Sequence, residues 1–446
     1  MLEAFGNALR IKELRTKLLI TAGLLAVCRV GVFIPVPGVN FNWIKGFIER
    51  SAGGEPGGLA SFLNLADMFT GGGLFRASIF ALGIMPYISA SIIFQLLTAV
   101  VPALEKMAKE GESGRRRLNQ YMRYSTVMLC VIQAGFYCSW LAGAGGVIEG
   151  MGRAQFQFLA SLSMTVGTVL LMWLGEQIDE FGIGSGTSLI IQFNILSRLP
   201  AALKQLWTRF DWSLGEMNPN NIGPEKLVLL FALFVFMVVS VIIITQAQRR
   251  VPMNYARRTM TGFSARQYLP LRVNMSGVIS IIFAQSIMIL PGFLRYARLE
   301  FLKQVADHFA RGAFFYIITY MVMIVFFSYF YTAVVFNPVE HAENFKQYGA
   351  FIPGIRPGRK TAEYLERIMN RITLAGAVFL AFIAIVPQVI SGTMGVDPNI
   401  TDFFGGTGLL IVVGVALDVV QRIESHMMMQ AYEGFMKGGG RIRGRR

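Results

Sequence analysis

The chain has 446 residues, of which 54% are hydrophobic and only 15% are charged, and its mean hydropathy is +0.52. Soluble domains carry about 25% charged residues. The composition therefore excludes a soluble enzyme, a disordered protein and a disulfide-stapled secreted domain, and it predicts an integral membrane protein. The charge is unbalanced, with 41 Lys and Arg against 26 Asp and Glu. This excess suits loops that lie against anionic lipid or another anionic partner.

Ten apolar stretches are long enough to be transmembrane helices, which need about 20 mostly apolar residues. Runs of this length exclude a β-barrel, whose strands alternate over about ten residues. The fifth stretch is the weakest, because Gln192, Asn194 and Arg198 interrupt it. In chain order the predicted spans cover about residues 18–36, 76–100, 122–142, 156–175, 186–206, 226–247, 274–293, 312–336, 372–391 and 407–423.

The distribution of basic residues predicts the orientation of these spans. An even number of spans puts both termini on one side, and the segments on that side hold 28 of the 41 Lys and Arg residues. By the positive-inside rule both termini are cytoplasmic. Five spans precede residues 207–225 and five follow, so residues 1–209 and 210–446 are predicted to form two halves in opposite orientations.

Motifs for enzymatic chemistry are missing from the sequence. There is no G-x-x-x-x-G-K-[ST] loop, and the three histidines fall in or near polar segments. We therefore expect no catalytic residues, no cofactor and no metal. A solute transporter would place ionisable residues inside its spans, and the candidates for coupling here, Arg29, Asp418 and Glu176, are few.

A short apolar segment precedes the second span. Phe62, Leu65 and Phe69 recur at helical spacing, but the helix they predict is too short to cross a membrane. Three consecutive glycines, 71–73, then predict a flexible hinge. The segment is either a re-entrant stopper or an ordinary helix lying on the bilayer surface.

Two predicted cytoplasmic loops are rich in arginine. Residues 248–272 contain six arginines and no acid, and residues 346–360 are built around "FIPGIRPGRK". Positive-inside topology alone explains basic loops, but protruding basic loops with Pro and Gly also suit phosphate-rich RNA.

Several long motifs follow one another along the chain. They include "RASIFALGIMPYISASIIFQLL", "EGESGRRRLNQYMRY", "MWLGEQIDEFGIGSGTSLII", "QRRVPMNYARR", "FNPVEHAENFKQYGAFIPGIRPGRKTAEYL" and "FGGTGLLIVVGVALD". These motifs resemble the SecY family, the channel subunits of the bacterial Sec protein translocon. The resemblance runs in order over nearly the whole chain. It implies an all-α membrane protein with ten transmembrane helices in two inverted five-helix halves around a central pore, with a short re-entrant plug helix.

The resemblance also implies roles for individual residues. The plug is residues 60–73, with Phe62, Leu65, Phe69, Gly71, Gly72 and Gly73. One further ring position, commonly aliphatic in the family, is Thr187 here. The pore ring is Ile84, Ile88, Ile191, Ile282 and Ile411; the lateral gate carries Ser89, Gln95, Asn274 and Ser286; and the loops that dock SecA and the ribosome carry Arg249, Arg250, Arg257, Arg258 and Arg356.

A protein-conducting channel of the bacterial inner membrane is therefore the leading hypothesis. It would pass unfolded secretory chains and release apolar helices sideways into lipid, with SecE and SecG as partner subunits and SecA or the ribosome as the driving partner. The basic tail "KGGGRIRGRR" would contact anionic lipid or the ribosome. A solute or ion transporter, and an insertase without a plug, remain the alternatives.

Overall fold

A computed structural model gives the fold and describes residues 11–40, 42–43, 46, 66–143, 145–148, 150–210, 223–255, 267–288, 313–394 and 406–438. The chain forms two compact units. One comprises Met1–Pro56, Leu63–Ala201 and Val415–Arg446, and the other comprises Gly57–Phe62 and Ala202–Gly414. The division into two halves at 209/210 stays a prediction.

Seven helices make up the first half of the described chain. They are α1 (Lys12–Gly31), α2 (Met85–Val100), α3 (Pro102–Lys109), α4 (Glu112–Gly143), α5 (Arg153–Phe181), α6 (Gly186–Leu196) and α7 (Leu199–Thr208). Residues 66–70 form a further short helical stretch. In the first unit, α4 packs against α2 and α5, and α1 packs against α5 and α6.

The described part of the second half contains six helices and three strands. They are α8 (Pro224–Gln246), β1 (Gln248–Tyr255), β2 (Gln267–Arg272), α9 (Ile279–Met288), α10 (Phe314–Val335), α11 (Pro338–Gln347), β3 (Ala350–Phe351), α12 (Arg359–Met394) and α13 (Thr407–Gly438). In the second unit, α10 packs against α9 and α12, and α8 also packs against α12.

Span two begins later than predicted. The prediction started at residue 76, but α2 begins at Met85 because residues 71–84 follow an irregular path. Gly71, Gly72 and Gly83 have positive φ, as does Ala77 at 42°, and no helix accommodates these values. At its far end α2 meets α3 at a 99° bend, where Pro102 prevents the helix from continuing.

Span five is broken. The predicted single span over 186–206 is two helices, α6 and α7, separated at Ser197 and Arg198. Of the polar residues that weakened the sequence signal, Arg198 lies at this break and Asn194 lies in the last turn of α6, where its carbonyl accepts from Ser197 Oγ (2.7 Å). Arg29, predicted to lie in the middle of span one, instead occupies the last turn of α1, which ends at Gly31.

A small antiparallel sheet joins the two predicted basic loops. β1 pairs with β2 from Gln248↔Arg272 to Met253↔Gln267, and β1 pairs with β3 at Asn254↔Phe351 and Tyr255↔Ala350. Below the sheet lies a core of Val251, Leu271, Phe336, Ile352, Leu365 and Met369. The second basic loop is therefore attached to the first.

The described helices include five that are long and apolar enough to cross a membrane, or six if the bent pair of α2 and α3 counts as one span. Their apolar windows are only 28% to 50% buried within the protein, so much of their hydrophobic surface faces outward, as lipid contact requires. The other predicted spans coincide with shorter or more charged helices, or run partly outside the described residues. This arrangement is consistent with the predicted ten-span layout.

Candidate functional site

Residues 66–75, called here the clamped segment, are bound through their backbone by side chains from three helices of the first unit. These donors come from α1, α4 and α6, and each donates to a different carbonyl of the segment. The bonds run from Arg29 Nη1 to Gly71 O (2.8 Å), from Tyr137 Oη to Leu74 O (2.6 Å) and from Asn194 Nδ2 to Phe69 O (2.9 Å).

A buried ion pair adds a fourth attachment. The side chain of Asp67 is completely buried, and its Oδ2 accepts from Arg198 Nη2 at 2.5 Å. The other oxygen, Oδ1, accepts from the backbone amide of Phe75 at 3.0 Å. Burial raises the pKa of the Asp67 carboxyl, while Arg198 and the Phe75 amide act in the opposite direction.

The predicted plug residues fall partly within this segment. Phe69 is 1% exposed, and Phe62 and Leu65 lie outside the described residues. Gly71 and Gly72 have φ of 68° and 93°, values that favour glycine. A Cβ on Gly73 would lie 2.8 Å from Ser78 Oγ, so this position leaves no room for a side chain. The glycines are therefore required by backbone shape, and hinge motion stays a prediction.

Three of the predicted ring isoleucines lie in the first unit and are buried. Ile84 is the residue that caps the start of α2, Ile88 lies one turn further along, and Ile191 lies on α6. A Cβ built on Gly175 would lie 3.7 Å from Thr187 Cγ2 and 3.8 Å from Ile84 Cδ1. The structure therefore brings Thr187 and Ile84 around one glycine of α5.

The other two ring isoleucines, Ile282 on α9 and Ile411 on α13, are buried in the second unit. One turn away from them, Gln285 Nε2 donates to Thr407 Oγ1 at 3.1 Å. This bond fixes α9 against the start of α13, and sequence reasoning missed it because its partners are 122 residues apart.

The predicted gate residues bond within their own segments. Gln95 donates to Ser91 of the same helix, and Ser286 donates to the Ile282 carbonyl one turn earlier. Asn274 donates to the Gly277 carbonyl at 3.0 Å. Ser89 is half-buried on α2. The gate assignment remains a prediction.

The predicted docking arginines lie on or near the sheet. Arg249 and Arg250 are exposed on β1, and Arg356 is exposed in the loop that follows β3. Arg257 and Arg258 lie outside the described residues. Because β3 pairs with β1, Arg356 lies in the loop that leaves the same sheet as Arg249 and Arg250.

Sequence reasoning missed four of the residues that hold the clamped segment: Asp67, Tyr137, Asn194 and Arg198. A partial signal existed, since Asn194 and Arg198 interrupt an otherwise apolar span, and polar residues in spans tend to have specific partners. Asp67 lies outside the predicted spans, and Tyr137 lies among apolar and aromatic residues of span three, so neither residue stood out in the sequence.

Comparison with known proteins shows which proteins this chain is similar to. The SecY family model matches residues 78–420. The chain is 42% identical to the protein translocase subunit SecY of Thermotoga maritima over 452 residues, covering all of both chains. It is 40% identical to the same subunit of Aquifex aeolicus, covering 98% of this chain and all of that protein.

Solved structures show the same fold. A protein-conducting channel structure covers 92% of both chains with a TM-score of 0.58 at 16% identity. Sec61 in a canine ribosome–channel complex from the endoplasmic reticulum covers the same shares with a TM-score of 0.56 at 15% identity. The helical architecture and the full-length similarity together show that this chain belongs to the SecY family of protein translocase subunits, which form protein-conducting channels.

Proposed function

We propose that this chain passes unfolded polypeptides through a waist lined by Ile84, Ile88, Ile191, Ile282 and Ile411, and that residues 60–73 close the waist at rest. Branched apolar side chains at a narrow constriction exclude water and ions by dewetting, and they deform around a passing chain without regard to its sequence. The lateral gate, with Ser89, Gln95, Asn274 and Ser286, would release apolar helices into lipid.

The observation that carries this proposal is the clamped segment. It leads directly into Ile84 and α2, it is too short to span a membrane, and its backbone is bound by polar side chains of three separate helices. An ordinary interfacial helix would expose one face to lipid headgroups, whereas Asp67 and Phe69 are buried. A stopper within the protein accounts for this burial.

The proposed setting is the bacterial cytoplasmic membrane, with both termini in the cytoplasm and with SecE and SecG as partner subunits. We place SecA or the ribosome at the exposed surface around Arg249, Arg250 and Arg356. Two observations support this placement: Arg249 and Arg250 are exposed on β1 and Arg356 is exposed in the loop after β3, and similar folds occur in ribosome complexes of Sec61 and of yeast Ssh1. RNA phosphates would pair with these guanidinium groups.

The test is a site-specific crosslink to a translocating chain. A photoreactive residue at Ile88 is presented with a stalled secretory polypeptide in membranes that contain SecE, SecG and SecA. The matched control is the same probe at Val166, which is 61% exposed on α5. A crosslink at Ile88 that is absent at Val166 supports the waist. A chain that reacts only at outer surfaces would remove the pore assignment and favour the insertase or transporter alternatives.

A further inference from the structure

A completely buried carboxylate on the clamped segment needs an explanation, because an apolar stopper could seal a dry waist without one. Desolvation of a carboxylate is costly unless a partner compensates, and a buried ion pair is seldom the most stable way to fill a site. Asp67 is nonetheless buried, and it is paired with Arg198 at the break in span five.

All four attachments have the same direction of hydrogen-bond donation. In each, a side chain from outside the segment donates, and a backbone carbonyl or the Asp67 carboxylate of the clamped segment accepts. If the segment moves away as one piece, it therefore carries the acceptors of all four attachments, and the donors stay with the rest of the protein. Water satisfies acceptors and donors alike, so separation in an aqueous space leaves neither side unpaired.

The two side chains of the ion pair differ in their exposure to solvent. The side chain of Arg198 is 29% exposed, whereas that of Asp67 is not exposed at all. The guanidinium therefore retains part of its hydration when the pair forms, and the carboxylate regains hydration when the segment moves. Apolar contacts offer no comparable compensation, since their separation exposes hydrophobic surface to water.

We propose that the Asp67–Arg198 pair is a latch that sets how readily the clamped segment is displaced, and thereby how strong a signal sequence must be to open the channel. This inference rests on the proposed function, because it assumes that the segment closes the waist. Asp67 and Arg198 are positioning residues in this scheme. Asn194 is a second and weaker element of the same latch.

The experiment measures resting ion conductance and export in the complete complex. Asp67→Asn keeps the shape of the side chain and removes its charge; Arg198→Met removes the partner; the double variant removes both. A charge-assisted hydrogen bond is worth about ten- to a hundredfold in an equilibrium. We expect resting open probability to rise by about that factor in Asp67→Asn, and substrates with weakened signal sequences to be exported more efficiently.

The matched control is Arg123→Gln. Arg123 forms a two-bond ion pair with Glu176, at 2.8 and 2.7 Å, between α4 and α5 of the same unit. This pair does not touch the clamped segment, so its loss is expected to leave resting conductance and the signal requirement unchanged. A latch also predicts that the double variant opens no more than either single variant, because one shared interaction is lost in all three.

If Asp67→Asn does not fold, Asn194→Ala is measured instead, with an expected several-fold rise in open probability. The latch is refuted if the folded variants conduct like the wild type, or if Arg123→Gln raises conductance equally. Failure of the proposed function looks different. In that case the Ile88 probe does not reach the translocating chain, and a polar substitution at Ile88 does not increase conductance either.

Discussion

A close contact between α5 and α6 depends on two glycines, and its distances give the size of the expected effect of a substitution. A Cβ built on Gly186 would overlap the carbonyl oxygen of Gly175, and it would lie 2.8 Å from the carbonyl carbon and 2.9 Å from the Cα of that residue. All three are backbone atoms, so no side chain can rotate away. The Gly186 amide also donates to Asp179 Oδ1 at 2.7 Å, which holds the start of α6 in place.

Gly186→Ala must therefore push the two helices apart. Carbon atoms pack best at about 3.5–4.0 Å. To relieve the 2.8 Å contact between the new Cβ and the Gly175 carbonyl carbon, the two helices must therefore move apart by at least roughly 0.7 Å. Overpacking of this kind costs about 1–3 kcal/mol. The displacement would be passed to Thr187 and Ile191, which follow on α6. We expect a lower melting temperature of the purified complex and reduced export.

Gly135→Ala is the matched control. Gly135 lies within α4, and a Cβ there would meet nothing within 4 Å. In a helix interior, Ala is about 0.5–1 kcal/mol more favourable than Gly, so this variant should melt at the same temperature as the wild type or higher. If Gly186→Ala is as stable as Gly135→Ala, close packing of α5 on α6 does not constrain this position and the reasoning is wrong.

Further variants test other parts of the protein. Ile88→Asn should raise ion leakage through the resting complex about tenfold or more, because a polar group hydrates the proposed waist; unchanged conductance in planar bilayers would contradict this. Reversing both Arg249 and Arg250 to Glu should weaken ribosome binding and lower its salt dependence by about two in log–log slope; an unchanged slope would exclude these residues from phosphate contact. Tyr137→Phe should cost about 1 kcal/mol, since it removes one of the two hydrogen bonds that the Leu74 carbonyl accepts, the other coming from the Ala77 amide at 3.1 Å; Tyr329→Phe, which loses an exposed 3.1 Å bond, should melt like the wild type.

Much of the architecture could be predicted from the sequence because transmembrane helices are local features. The predicted spans at 122–142, 156–175, 226–247 and 312–336 lie within or close to α4, α5, α8 and α10. Hydropathy summed over about 20 residues is enough to place such helices, whatever their neighbours. The motifs that resemble the SecY family are also local strings, so family membership needed no structure.

Helix ends and breaks were less predictable. The late start of α2, the break between α6 and α7 and the sheet formed by β1, β2 and β3 lie where the chain is polar or rich in glycine. In such stretches the backbone conformation is chosen by tertiary partners, because intrinsic preferences there are weak. The glycines at 71–73 predicted a hinge, while the structure shows that backbone shape and crowding require them.

By itself, the sequence determined that this is a helical membrane protein, where most of its spans lie and which family it belongs to. Only the tertiary structure decided which polar groups meet. Asn194 and Phe69 are 125 residues apart, and Arg198 and Asp67 are 131 apart. A hydrogen bond requires its two atoms to lie within about 3 Å, and no local pattern encodes that distance. The contacts that hold the clamped segment could be identified only from the packed structure, because they come from several helices.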